Sequence, residues 1–302
     1  MENDSPKKTY KSGFVAVSGK PNVGKSTLMN SLLGQKIAAV SARPQTTRKR
    51  QMGILTTDDA QIIFVDTPGL HQPRNKLGEN MNKEASMVME DCDLIVWLVD
   101  ASQPPDADDL LLAELIKNLK RPIPSLIALN KIDLVDAREH ESITEQFANL
   151  LPESETIRIS AKYGANLGAL MDMIVATLPE GELYFPKGQI TDLYEREIAA
   201  DLIREAALNV LRDEVPHGIA IRIDQYQERG EQGAYIEATV FVERESHKGI
   251  VIGQGGSMLK QIGSAARSEI EAMSGRSVYL RLRVKVKKNW RNDEKVLRWL
   301  GW

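Results

Sequence analysis

Short, continuous apolar runs punctuate the first 180 residues of the chain: Phe14-Val15-Ala16-Val17, Ile62-Ile63-Phe64-Val65, Leu94 to Val99, Ser125-Leu126-Ile127-Ala128-Leu129 and Ile157-Arg158-Ile159. Runs of this length without strict alternation suit strands buried on both faces. The pattern predicts an α/β domain over residues 1–180, with a mostly parallel sheet and helices on both faces. Leu178-Pro179-Glu180-Gly181 and Pro186-Lys187-Gly188 interrupt it, so residues 181–190 are predicted as a linker.

Beyond the linker the pattern changes. Leu193, Ile198, Leu202, Ala206 and Val210 recur at helical spacing, and Pro216 ends the series. Two stretches, 219–223 and 235–242, alternate like strands around the turn residues Arg229-Gly230-Glu231-Gln232-Gly233. A helix over about 258–273 and a strand from near Ser277 complete an α+β domain over residues 191–302. In that last strand Val278, Leu280, Leu282, Val284 and Val286 share one face, while Arg281, Arg283, Lys285 and Lys287 share the other.

Candidate chemistry sits at the ends of the apolar runs. After the first comes Gly19-Lys20-Pro21-Asn22-Val23-Gly24-Lys25-Ser26, then Thr27 and a helix-like stretch, a complete phosphate-binding loop in its proper strand-to-helix context. Its backbone amides must turn inward on phosphate oxygens, which a side chain at either glycine would obstruct. Lys25 is expected to reach the β- and γ-phosphates and Ser26 to hold Mg2+, with the helix N-terminus facing the anion.

After the second run, Asp66-Thr67-Pro68-Gly69 offers a carboxylate for the metal and a glycine amide for the γ-phosphate. The next residue, Leu70, cannot orient a water molecule, which predicts slow intrinsic hydrolysis. Asn130-Lys131-Ile132-Asp133 follows a further run. Asp133 is an acceptor-only group matched to the two adjacent donors of guanine, and adenine lacks both. Asn130 is expected to tie this segment to the phosphate loop, and the Lys131 stem to cover one face of the purine. Ser160-Ala161-Lys162 would add a backbone donor to the guanine oxygen. Ligands of open parallel sheets bind at this edge, so the ordered set points to GTP and GDP.

A second glycine loop, Gly253-Gln254-Gly255-Gly256, lies between two predicted helices, with Lys248 and Lys260 on either side. Residues 276–298 hold nine Lys or Arg against two acids. That patch would attract phosphates without choosing a sequence. Across 302 residues the net charge is −3, but residues 1–180 carry 20 basic and 24 acidic side chains and residues 181–302 carry 19 and 18, so the acidity lies in the first domain.

One cysteine excludes a disulfide framework. Cys92, between Asp91 and Asp93, reads as a small packed residue. The four histidines show no metal-ligand spacing, the first ten residues lack the apolar core of an export signal, and the run from Leu94 to Val99 is too short to cross a bilayer. A cytoplasmic protein is expected.

Residues 14–180 resemble a small GTPase of the translation-factor-related class, and the whole chain resembles the Era family of bacterial GTPases. The element order helix, strand, strand, helix, Gly-x-x-Gly, helix, strand is similar to a type II KH domain, whose loop and groove take about four unpaired nucleotides. The resemblance implies binding to 16S ribosomal RNA near its 3′ end and a role in assembly of the small (30S) subunit. It further implies a switch I element at Gln45-Thr46-Thr47-Arg48, with Thr46 or Thr47 on Mg2+, and a K+ ion held by Asn22 that supplies the charge an arginine finger gives elsewhere. GTP is expected to order segments around 36–52 and 70–85 and to tighten RNA binding. The partner set implied is RNA, not DNA, with a monomeric protein and a peripheral contact at the inner membrane. An alternative makes the second domain a protein or membrane adaptor, through Trp290, Trp299 and Trp302.

Overall fold

The structure is a computed structural model that describes residues 9–34, 51–67, 69, 70, 72, 73, 75–191, 195–228 and 233–300. In the first domain β1 (Lys11–Ser18), β3 (Ala60–Asp66), β4 (Leu94–Asp100), β5 (Ser125–Asn130) and β6 (Glu155–Arg158) run parallel, and β2 (Gln51–Thr56) adds antiparallel to β3. The order is β2-β3-β1-β4-β5-β6. All seven residues of β3 are buried, because helices cover both faces. On one side α2 (Lys76–Asp91), α3 (Ala107–Lys117) and α4 (His140–Ala148) bury Val88, Leu112 and Phe147 against Trp97 and its neighbours. On the other, α1 (Lys25–Leu33) and α5 (Leu167–Thr177) bury Leu28, Met29, Leu170 and Ile174. From β1 the chain first builds β2 and β3 on one side, then β4 to β6 on the other, so the crevice opens after β1.

The second domain packs α6 (Glu195–Val210), α7 (Glu245–Ile252) and α8 (Ser257–Ser274) on one face of a three-stranded sheet, β7 (Ala220–Glu228), β8 (Ala234–Val242) and β9 (Val278–Val286). β7 and β8 are antiparallel, β8 and β9 parallel, with β9 at the edge. β9 alternates as expected, its basic positions exposed and its aliphatic ones half-buried on the helical core. Across the opposite face, α9 (Glu294–Trp299) and the buried Trp290 cover Phe241 and Ala220.

Two boundaries differ from expectation. β6 starts at Glu155 and ends at Arg158, because Ile159 turns its carbonyl to the Ile132 amide. β7 continues past 223 through a bulge to Glu228. Much of the expected switch at 70–85 is helical, since Asn75 caps α2 by accepting from the Gly78 amide at 2.9 Å.

The linker is strapped to the first domain. Gln61 donates to the Phe185 carbonyl at 2.9 Å and accepts from the amides of Tyr184 and Phe185, while the Ile54 amide donates to the Ile190 carbonyl at 2.7 Å. At the domain contact Leu77 and Met81 of α2 join Trp290, Val296, Leu297 and Leu300 in one buried cluster, and Lys76 pairs with Glu294 at 2.7 Å.

Candidate nucleotide site and nucleic-acid interface

The phosphate loop owes its shape to two close approaches. A Cβ on Gly19 would lie 2.3 Å from the Leu98 carbonyl, and one on Gly24 would lie 2.4 Å from Asn130 Nδ2. No side chain fits either gap. Asn130, at the end of β5, donates from Nδ2 to the Val23 carbonyl at 2.7 Å and accepts at Oδ1 from the Ala161 amide at 2.9 Å. One buried amide therefore clamps the phosphate loop, the Asn-Lys-x-Asp segment and the Ser160 loop together.

Lys25 donates to the carbonyls of Gly19 at 2.9 Å and Lys20 at 3.1 Å. Burial pushes its ammonium below the usual lysine range, and Asp66 opposes that shift. Ser26 and Asp66 converge, with Oγ and Oδ2 3.5 Å apart. A hydroxyl and a single carboxylate form an oxygen-only pair that leaves most of a coordination sphere to phosphates and water, which fits Mg2+. Thr67 donates to the Val17 carbonyl at 3.2 Å. Gly69 lies against the loop, where a Cβ would be 3.0 Å from Pro21. Asn22 adopts a left-handed φ of 67° and is exposed. Leu70 points inward, 2% exposed, among Val65, Ala85 and Val88.

At the base end, Ser160 donates to Asp133 Oδ1 at 2.5 Å, which aims the carboxylate. Lys131, left-handed at φ 63°, extends its ammonium to Asp100 Oδ2 at 2.5 Å. Lys162 lies over the Tyr163 ring, 4.9 Å from its centroid. Thr27 and Ile132 are half-buried. Thr46, Thr47 and Pro68 lie outside the described residues.

Two groups that brace the site carry no expectation from the sequence. Lys20 belongs to the phosphate loop through its backbone, while its ammonium pairs with Asp106 at 2.8 Å and Asp109 at 2.7 Å, at the start of α3. Asp109 is fully buried, and burial pushes its carboxyl up. Asp100 braces Lys131; burial pushes its carboxyl up, and hydrogen bonds from Lys131 and Ser102 more than reverse that. Asp100 was findable from its place at the end of an apolar run, as Asp66 and Asn130 were. Asp106 and Asp109 carried no comparable signal, because their pairing joins residues more than 80 positions apart.

In the second domain Gly253 is left-handed at φ 73°, and a Cβ there would lie 2.7 Å from that of Met258. Gly255 and Gly256 are also left-handed, yet nothing lies within 4 Å of their would-be Cβ positions, so the loop presents bare backbone at the start of α8. A cavity of about 440 Å³ runs between α8 and β9, lined by Gly256, Lys260, Arg267, Tyr279 and Arg281 among others. Lys248 pairs loosely with Glu245 at 3.9 Å. Arg281 and Arg283 share Glu237, at 3.0 and 3.2 Å, an acid absent from the sequence expectation. Gln254, Lys285 and Lys287 are exposed, with Lys287 one residue beyond the strand.

Comparison with known proteins agrees with this fold. The family described as 50S ribosome-binding GTPase matches residues 14–131, and the KH domain family matches residues 214–291. Over 291 residues, 96% of this chain and 97% of the relative, the sequence is 46% identical to GTPase Era of Heliobacterium modesticaldum. This chain belongs to the Era family. Era in complex with MgGDPNP and nucleotides 1506–1542 of 16S ribosomal RNA superposes with a TM-score of 0.91 at 40% identity, covering 97% of this chain and 99% of that one. Aquifex aeolicus Era bound to GDP and AlF4⁻ gives 0.90 at 40% identity, over 96% and 99%. The Era family fold is a P-loop GTPase domain followed by a KH domain, and the family hydrolyses GTP.

Proposed function

We propose that this Era-family GTPase is a GTP-controlled switch that binds 16S ribosomal RNA near its 3′ end and acts in assembly of the small ribosomal subunit. The observation that carries the nucleotide half is the Asn130 clamp, which brings the phosphate loop, the guanine-reading carboxylate and the Ser160 loop to one sheet edge. The RNA half rests on the open Gly253-to-Gly256 loop beside a basic groove, and on the Era relative that holds 16S nucleotides.

The residues divide the work as follows. Amides of residues 19 to 26 cradle the phosphates, with Thr27 behind them. Lys25 neutralises the β- and γ-phosphate oxygens, while Ser26 and Asp66, with a switch I threonine, hold Mg2+. A bound metal neutralises charge on the phosphates as it develops. Asp133 reads guanine, the Ala161 amide meets its oxygen, and the Lys131 stem covers a face. Gly69 donates its amide to the γ-phosphate. Leu70 contributes no polar atom, so charge stabilisation falls to the loop, where Asn22 would hold K+ and the ion would supply the charge.

Gly69 and α2 belong to one continuous segment, and α2 carries Leu77 and Met81 into the cluster with Trp290. A γ-phosphate that repositions Gly69 thereby biases the seating of the KH domain. The adaptor alternative loses support at Trp290, which is fully buried and donates from Nε1 to the Gly218 carbonyl at 2.9 Å, whereas Trp299 is half exposed, edge-on to Phe241 with the Arg222 guanidinium over its ring. Among the described residues no helix is long and apolar enough to cross a membrane. We place the protein in the cytoplasm, where its RNA target resides. The deciding experiment measures affinity for RNA spanning 1506–1542 with GDPNP and with GDP: tighter binding with GDPNP is expected, and equal affinity ends the switch reading.

A further inference from the structure

We infer that the RNA path does not stop at the groove but crosses the edge of β9, where Tyr279 stacks on a base that has left the groove. This rests on the RNA reading of the second domain. A KH groove takes about four unpaired nucleotides, whereas the Era relative holds a fragment several times longer. Most of such an RNA has to meet other surface.

β9 is the place where groove and outer sheet face meet. It is the edge strand and one wall of the groove, and Tyr279 and Arg281 line that groove although their positions belong to the outward face of the strand. The Tyr279 ring is 64% exposed and lies parallel to that of Tyr235, with centroids 5.5 Å apart and an interplanar angle of 9°. Tyr235 is itself anchored, its hydroxyl donating to Glu237 Oε1 at 2.6 Å. One face of the Tyr279 ring is therefore fixed against a held neighbour, and the other looks past the sheet edge. A ring already oriented loses little conformational freedom when a base stacks on it.

Phosphate contacts follow in step. Arg281, Arg283 and Lys285 continue from Tyr279 on the same face, at a repeat of about 7 Å, comparable to an extended single strand. Glu237 is one carboxylate shared by two guanidiniums, so the face stays positive and phosphates can compete for its cations. Charge and an exposed flat ring together favour single-stranded RNA over a protein partner, and a cross-strand tyrosine pair that serves only packing is the outcome the test must separate.

The test uses the full chain with GDPNP and fluorescent single strands of four and ten nucleotides tiled across 1506–1542, taking the tightest of each length. Tyr279→Ala and Tyr279→Leu should weaken the ten-nucleotide strand roughly 10- to 100-fold and the four-nucleotide strand less than about twofold, while Tyr279→Phe keeps both affinities. A 2-aminopurine at the crossing position should be quenched by the wild type and by Tyr279→Phe, and not by the other two. Equal losses for both lengths, or none for either, overturn the crossing. The double variant Gln254→Asp with Gly255→Asp should abolish both strands, and a wild type that binds neither overturns the RNA reading itself.

Discussion

Asn130 Nδ2 lies 2.7 Å from the Val23 carbonyl, and its Oδ1 receives the Ala161 amide at 2.9 Å. Asn130→Ala leaves a buried carbonyl and a buried amide without partners, at roughly 1–3 kcal/mol each. GTP and GDP affinity should both fall by at least about tenfold, with a lower melting temperature in the absence of nucleotide. A variant that binds normally in isothermal titration would falsify the clamp.

Asp133 is aimed by Ser160 at 2.5 Å. Asp133→Asn replaces one of its acceptor oxygens with a donor, so affinity should move from guanine toward xanthine nucleotides. Excess ATP should leave labelled GTP bound to the wild type. Displacement at similar ATP and GTP concentrations refutes the base assignment.

Leu70 is 2% exposed in the core cluster with Val65, Ala85 and Val88. Leu70→Gln, the change that would imitate other GTPases, buries an amide and loses aliphatic packing, at about 2–4 kcal/mol. The expected result is a lower melting temperature with no gain in intrinsic turnover. Faster single-turnover hydrolysis would show that the side chain reaches the reacting water after all.

Hydrolysis should run faster in KCl than in NaCl, and Asn22→Ala should remove the difference. Equal rates for the wild type in both salts eliminate the potassium role.

Asp100 holds the Lys131 ammonium at 2.5 Å, and its carboxyl lies below the ordinary carboxylate range. A depressed folded pKa adds stability above the unfolded value of about 4, and that stability is lost as pH falls through the folded value. Asp100→Asn should therefore melt below the wild type at pH 7, with the gap closing under acid. A gap that stays constant down to pH 3 rejects this pair as the cause.

Sequence alone carried far here because the decisive signals are local. The Gly19-to-Ser26 loop, Asp66 and the Asn130-to-Asp133 segment each sit at the end of an apolar run, and a parallel sheet necessarily gathers such ends on one edge. Alternation in residues 278–286 likewise announced a half-buried strand. What the chain could not announce were pairings between remote residues: Lys20 with Asp106 and Asp109, and Asp100 with Lys131. Glu237 beneath Arg281 and Arg283, and Trp290 inside the cluster formed with α2, were equally hidden.

The sequence by itself determined the two domains, the guanine specificity and the two glycine loops, since backbone freedom and hydrogen-bond chemistry belong to single residues and short spacings. Tertiary structure alone decided which cations stay available to phosphates, how Leu70 is used, and that α2 touches the KH domain. Those outcomes depend on which distant groups fold to within a few ångströms, and desolvation and pairing act only at that range.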